Sequence, residues 1–143
     1  MKKIFLITLL LLNPLAKAAD IVFIVNAQNP VTQVSSDDIR NYYFKKKRRW
    51  PDDTSVRFID RSPGTPLRDI FLKNYLHKSG SDNELYWIGQ KLYTGDSAPL
   101  KESTDEMTMQ FVAAFKGAIG YVAAGTDLGN KDVKVIKVVT QGD

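Results

Sequence analysis

Hydrophobic positions along this chain fall into two alternating patterns. Ile21 to Val25 is an unbroken apolar run rich in β-branched residues, as expected of a strand covered on both faces. After a turn at Asn26 to Pro30, Ser35 with Asp38 three residues on resembles a capping box. It predicts a helix through about Phe44, with Ile39, Tyr42 and Tyr43 at i, i+3, i+4 on one face. Trp50-Pro51-Asp52-Asp53 is a turn, because proline keeps the residue before it out of helix. Val56 to Ile59 is a second short strand. Thr65 suits an N-cap and Pro66 the first helical position, and Leu67, Ile70, Phe71 and Tyr75 continue the helical period. Ser81 with Glu84 and Ser103 with Glu106 mark two further helix starts, running to about Leu92 and about Phe115. Met107, Phe111, Ala114 and Phe115 form the expected core stripe of the last helix, and Gly117 its C-terminal cap. Ala118 to Val122 and Val133 to Val139 read as strands. Strand, helix, strand, helix, helix, helix, strand, strand, with no repeat or linker, predicts one α/β domain.

The first segment reads as an address. Lys2 and Lys3 precede a nine-residue apolar run, Ile4 to Leu12, followed by Asn13-Pro14 and the small-x-small sequence Ala16-Lys17-Ala18. That order is the order of a signal peptide over residues 1–18, and the run falls far short of the roughly 20 residues a membrane span needs. Removing 18 residues from 143 leaves 125, expected to form one domain over 19–143 in the periplasm, with no membrane span once the leader is cleaved. The leader takes three of the 20 basic residues and none of the 16 acidic ones, so the mature protein carries a net charge of only +1. A globally basic nucleic-acid binder is excluded on that count. With no cysteine there is no disulfide, thiol nucleophile or thiolate zinc site, and a single histidine, His77, argues against a metal hydrolase. No catalytic set survives; the expectation is a protein that is no enzyme and uses no cofactor.

One constellation carries chemistry. Asp60-Arg61-Ser62-Pro63-Gly64-Thr65-Pro66 joins a strand to a helix start, where unpaired N–H groups and the positive end of the helix dipole favour an anion. Gly64 allows close approach to the backbone, Ser62 and Thr65 offer hydroxyls, and Arg61 or Arg68 a guanidinium fork suited to phosphate or carboxylate. The same residues also fit a plainer role, with Thr65 capping the helix and the arginines solvated.

The chain resembles the second lobe of periplasmic phosphate-binding proteins, the substrate-binding subunits of phosphate ABC transporters. The resemblance runs in order along nearly all of the mature sequence. It starts at the strand ending Val25-Asn26 and continues through Ser36-Asp37-Asp38-Ile39-Arg40-Asn41-Tyr42-Tyr43-Phe44 and a basic stretch ending Trp50-Pro51-Asp52. The strand Val56 to Asp60, the Gly64-Thr65 turn and Phe71 to Leu76 follow. It closes on Gly117-Ala118-Ile119-Gly120-Tyr121 after a helix, the most specific piece. The resemblance implies a single lobe of a type II periplasmic-binding-protein-like fold, an α/β unit with a mixed sheet covered by helices. It also implies inorganic phosphate or a similar oxyanion at Ser62, Gly64, Thr65, Arg68 and Arg61. Two copies of the chain, or a partner lobe, would close the cleft. Against the family's Arg-x-Asp-Gly-Ser-Gly-Thr loop, aligned on Gly64-Thr65, the arginine position holds Ile59, the aspartate Arg61 and the serine Pro63.

The run Lys45-Lys46-Lys47-Arg48-Arg49, flanked by Tyr42, Tyr43, Phe44 and Trp50, is the second candidate. It reads either as a solvated loop with Trp50 packed inward, or as a docking surface for an acidic partner such as a transport or sensor protein. Two functions follow. One is an exported oxyanion-binding protein; the other is an accessory module that keeps the fold, has lost the ligand and docks through 45–49.

Overall fold

The computed structural model describes residues 21–129 and 131–140; the leader over 1–18 and its cleavage point lie outside the described residues. Six strands form one sheet: β1 (Ile21–Asn26), β2 (Gln33–Ser35), β3 (Arg57–Arg61), β4 (Leu100–Glu102), β5 (Ala118–Ala123) and β6 (Val133–Val139), in the order β2-β6-β1-β5-β3-β4. The sheet is mixed. β1 runs antiparallel to β5 and β6, whereas β2–β6, β5–β3 and β3–β4 are parallel pairs. Helices α1 (Ser36–Tyr43), α2 (Pro66–Phe71), α3 (Gly80–Tyr93) and α4 (Asp105–Ala114) cover it, and a π-helical stretch, Leu72–Leu76, extends α2. Because both faces are covered, β1 is apolar without alternation, as its unbroken run predicts.

One face of the sheet packs Phe23, Val25, Phe58, Ile119 and Tyr121 against α1, α2, the π-helical stretch and Trp87 of α3. The other packs Ile24, Ala118 and Val122 against Met109 and Val112 of α4. Aromatic rings dominate the first cluster, with Phe71 stacked on Tyr121 at 4.5 Å and edge-on to Tyr43 at 5.3 Å. Trp50 packs inward as expected: it is buried, its ring lies 4.8 Å from Tyr42, and its Nε1 donates to the Gly117 carbonyl at 2.9 Å.

Four details differ from the sequence reading, each for a local reason. The edge strands β2 and β4 have three residues apiece, too few to show a period, and do not stand out in the sequence. α3 is capped by Ser79, which accepts from the Asp82 amide, rather than by Ser81; two Ser-x-x-acid patterns overlap there and the earlier one wins. α4 is capped by Thr104, not Ser103, and its buried face is Thr108, Met109 and Val112. Of the expected stripe only Phe111 packs against the core; Met107, Ala114 and Phe115 are exposed, Phe115 lying under the Arg57 guanidinium. Thr108 packs inward over Gly120, whose missing side chain makes the room: a Cβ there would come within 2.8 Å of the threonine methyl. Finally, Gly117 is no left-handed cap. It stands where the chain passes against the Ser55 carbonyl.

Candidate functional site

The loop after β3 sits between two ion pairs on opposite sides of the sheet, one fully buried (Asp60–Arg68) and one partly exposed at Asp105 (Arg61–Asp105). Successive strand residues point to opposite faces, so Asp60 and Arg61 diverge. Asp60 is fully buried beneath α1 and α2. Its carboxylate accepts from the Tyr43 hydroxyl at 3.0 Å, the Tyr121 hydroxyl at 2.5 Å, the Arg61 amide at 2.8 Å and Arg68 Nε at 3.3 Å. Arg61 turns toward α4, where its guanidinium donates to Asp105, the Tyr121 carbonyl and the Ser103 carbonyl. It thus pins the start of α4 and the end of β5 to β3.

Burial, reinforced by the Asp60 charge, pushes the Tyr43 and Tyr121 hydroxyls well above the ordinary tyrosine range. The folded protein therefore keeps phenol protons that the unfolded chain releases near pH 10. Their contribution to stability is complete below about pH 10 and is lost as pH rises further, at up to about 1.4 kcal/mol per pH unit for each tyrosine. A melting series from about pH 8 to about pH 11 should be flat and then fall steeply, with phenolate absorbance from these two residues arriving only on unfolding. Phenolate absorbance from all six tyrosines before unfolding would contradict the buried network.

Between the ion pairs, Ser62 to Thr65 forms the turn into α2. Gly64 has φ +84°, a left-handed conformation that favours glycine, and a Cβ there would meet nothing within 4 Å; backbone geometry rather than crowding selects the residue. Thr65 is the N-cap residue by position, but its hydroxyl donates to the Ser62 carbonyl at 2.8 Å instead of accepting from the helix. Among the described residues, the Gly64 and Leu67 amides donate to no protein group. Of the five expected oxyanion ligands, Ser62, Gly64 and Thr65 share one turn, whereas the Arg68 guanidinium is buried and held by Asp60. Arg61 joins them in sequence, but its guanidinium is buried on the α4 side.

The basic run is solvent-exposed, and most of it is paired locally. Lys47 binds Asp38 at 3.2 Å, Arg48 binds Asp96 at 2.9 Å, and Arg49 lies 3.7 Å from Asp53, while Lys45 donates to the Ser97 carbonyl. Lys46 lies 6.0 Å from the Phe44 ring.

One feature went unread in the sequence. Arg68, Asn83, Trp87, Lys91 and Lys101 converge on an open cavity of about 430 Å³ between α3, the start of α2 and the segment entering β4. Asn83, Trp87 and Lys91 follow one another at four-residue spacing, which on a helix is one face. That spacing was the available signal.

Neither a protein-family model nor a curated protein sequence matches the chain. Solved structures do. An ABC-type phosphate transport receptor from Vibrio cholerae superposes with a TM-score of 0.65 at 17% identity, over 83% of this chain and 46% of that one. The fold is a type II periplasmic-binding-protein lobe. PstS from Borrelia burgdorferi gives 0.65 at 13% identity over 83% and 47% of the two chains. A Clostridium perfringens phosphate ABC transporter substrate-binding protein, solved with bound phosphate, gives 0.60 at 20% identity over 83% and 44%. The chain thus spans less than half the length of each, and the likeness carries the fold. Among the described residues no helix is long and apolar enough to cross a membrane.

Proposed function

We propose that this protein is an exported oxyanion-binding protein of the phosphate-receptor kind, without enzymatic activity, that holds phosphate where Ser62, Gly64 and Thr65 meet after β3. The observation that carries the reading is the unpaired Gly64 amide in a left-handed turn next to Ser62 and Thr65, on a fold shared with proteins named as phosphate receptors. Arg61 serves this site by fixing the loop against α4 rather than by touching the anion. A second lobe, from another copy or a partner, would close over the ligand and exclude water, which strengthens every charged contact inside.

A second reading is supported by the ion pairs themselves. Asp60 neutralises Arg68 and Asp105 neutralises Arg61, so the lobe needs no anion to balance either arginine. An accessory module docking an acidic partner through Lys45 to Arg49 would keep these pairs as structure. Calorimetric titration of inorganic phosphate separates the two readings. Saturable binding that survives physiological salt, weakened roughly tenfold or more in a Ser62→Ala, Thr65→Val variant with wild-type melting, is the expected result. No heat at millimolar phosphate, or unchanged affinity in the variant, would rule out this site.

A further inference from the structure

Helix α3 is apolar on the side it turns away from the core. Asn83 and Trp87 are buried beneath it, whereas Leu85, Ile88 and Leu92 are 66%, 56% and 78% exposed. Their i, i+3, i+7 spacing sets them in one row along the outer side of the helix. Among the described residues, eight large apolar side chains stay exposed, and four of them, counting Tyr93, belong to α3. Single exposed apolar residues are ordinary, but a contiguous row of them marks a contact surface.

The charges beside the row select its occupant. Asp82, Glu84 and Lys91 are all exposed. Among the described residues, neither Glu84 nor Lys91 belongs to an ion pair; Lys91 donates to Ser97 Oγ at 3.2 Å. In a heptad frame Leu85 and Leu92 take a positions and Ser81 and Ile88 d positions. Glu84 and Lys91 then share the g flank, and Asp82 and Gly89 the e flank. When a helix packs antiparallel on a copy of itself, a meets d, g meets g and e meets e. End-to-end overlap of Gly80–Tyr93 sets Leu85 opposite the second copy's Ile88, which is such an a–d layer. The same register brings Glu84 beside the second copy's Lys91, twice by symmetry, and Asp82 beside its Gly89. No like charges meet. A parallel pair would instead set Asp82 against Asp82 and Glu84 against Glu84. An anionic bilayer would face a surface with two acids and one lysine, which it repels.

We propose that the outer face of α3 is a self-association surface on which two copies of the chain pack antiparallel about a two-fold axis. Leu85 and Ile88 interdigitate at its centre, and Glu84 pairs with Lys91 of the other copy along the rim. The pairing does not rest on anion binding at Ser62 to Thr65. With 14 residues α3 is about 21 Å long. One helix pair therefore buries less than the roughly 800 Å² per partner of a standard interface, and a dissociation constant of about 100 µM is expected.

Sedimentation equilibrium of the mature protein in phosphate-free buffer tests this. It should show mostly monomer at about 10 µM and mostly dimer near 1 mM. Ile88→Lys, at an exposed position, should stay monomeric throughout and melt as the wild type does at low concentration. Glu84→Lys and Lys91→Glu should each weaken the dimer roughly tenfold, and the double exchange should restore it. That rescue requires the two residues to face each other across copies. The proposal is overturned if the wild type stays monomeric at about 1 mM, whether or not it then sediments with phosphatidylglycerol vesicles. It is equally overturned if Ile88→Lys dimerises as the wild type does, or if the double exchange is no better than either single change. The dimer is measured without phosphate, so a failed anion site and a failed interface are distinguishable.

Discussion

Replacing Asp60 by alanine is expected to cost about 3–5 kcal/mol, the range found when one partner of a buried ion pair is removed. The side chain is fully buried, and its loss strands three groups at once: the Arg68 guanidinium and the Tyr43 and Tyr121 hydroxyls. Arg68 has only 4% of its side chain exposed, so water cannot replace the carboxylate without opening the packing between α2 and β3. Against a total stability of roughly 5–15 kcal/mol for a domain, that loss leaves little or nothing. Urea denaturation gives the number. The companion variant, Asp60→Leu with Arg68→Met, removes both charges and should lose much less than the single change, because no charge is left buried alone. If Asp60→Ala costs less than about 1 kcal/mol, the carboxylate is not what organises this part of the core.

The same network shows what was readable in advance. Long elements announced themselves through period and caps: the apolar run of β1, the Ser35 cap of α1, and Pro66 opening α2 all stand where residue type alone puts them. The order of elements carried the resemblance, and the solved receptors share the fold. Three-residue edge strands had no pattern to read. The core face of α4 centres one residue further on than expected: Thr108 and Val112 pack over Gly120, while Phe115, which looks like core, is exposed. At the loop, Ser62, Gly64 and Thr65 are neighbours in the turn as they are in sequence, whereas the Arg68 side chain turns inward to Asp60. Who neutralises each arginine depends on Asp105, more than forty residues away from Arg61, and on the face to which Asp60 points; neither is local information. The cavity along α3 was hidden for the same reason, because Arg68 of α2 and Ser97, Ala98 and Lys101 near β4 complete its wall.

Gly117→Ala is the second large effect, and it distinguishes crowding from backbone conformation as the reason for a glycine. A Cβ at position 117 would lie 1.8 Å from the Ser55 carbonyl oxygen, with a backbone atom as the obstacle rather than a movable side chain. The Gly117 carbonyl accepts from both the Trp50 indole and the Arg57 amide, so moving this residue disturbs the joint between the 50s loop, β3 and β5 together. The expected cost is about 3 kcal/mol or more, the upper end for forced overpacking. Two other glycines supply the contrast. Gly64→Ala meets open space but carries φ +84°, and should cost about 1–2 kcal/mol from the left-handed conformation alone. Gly89→Ala, inside α3 with open space and no such conformation, should instead stabilise by up to about 1 kcal/mol. Thermal or urea unfolding of the three variants should rank them in that order, with Gly117→Ala alone exposing Trp50 to solvent as judged by its fluorescence. Should Gly117→Ala fall no lower than Gly64→Ala, the chain there has room to move aside, and the contact with Ser55 does not fix the joint.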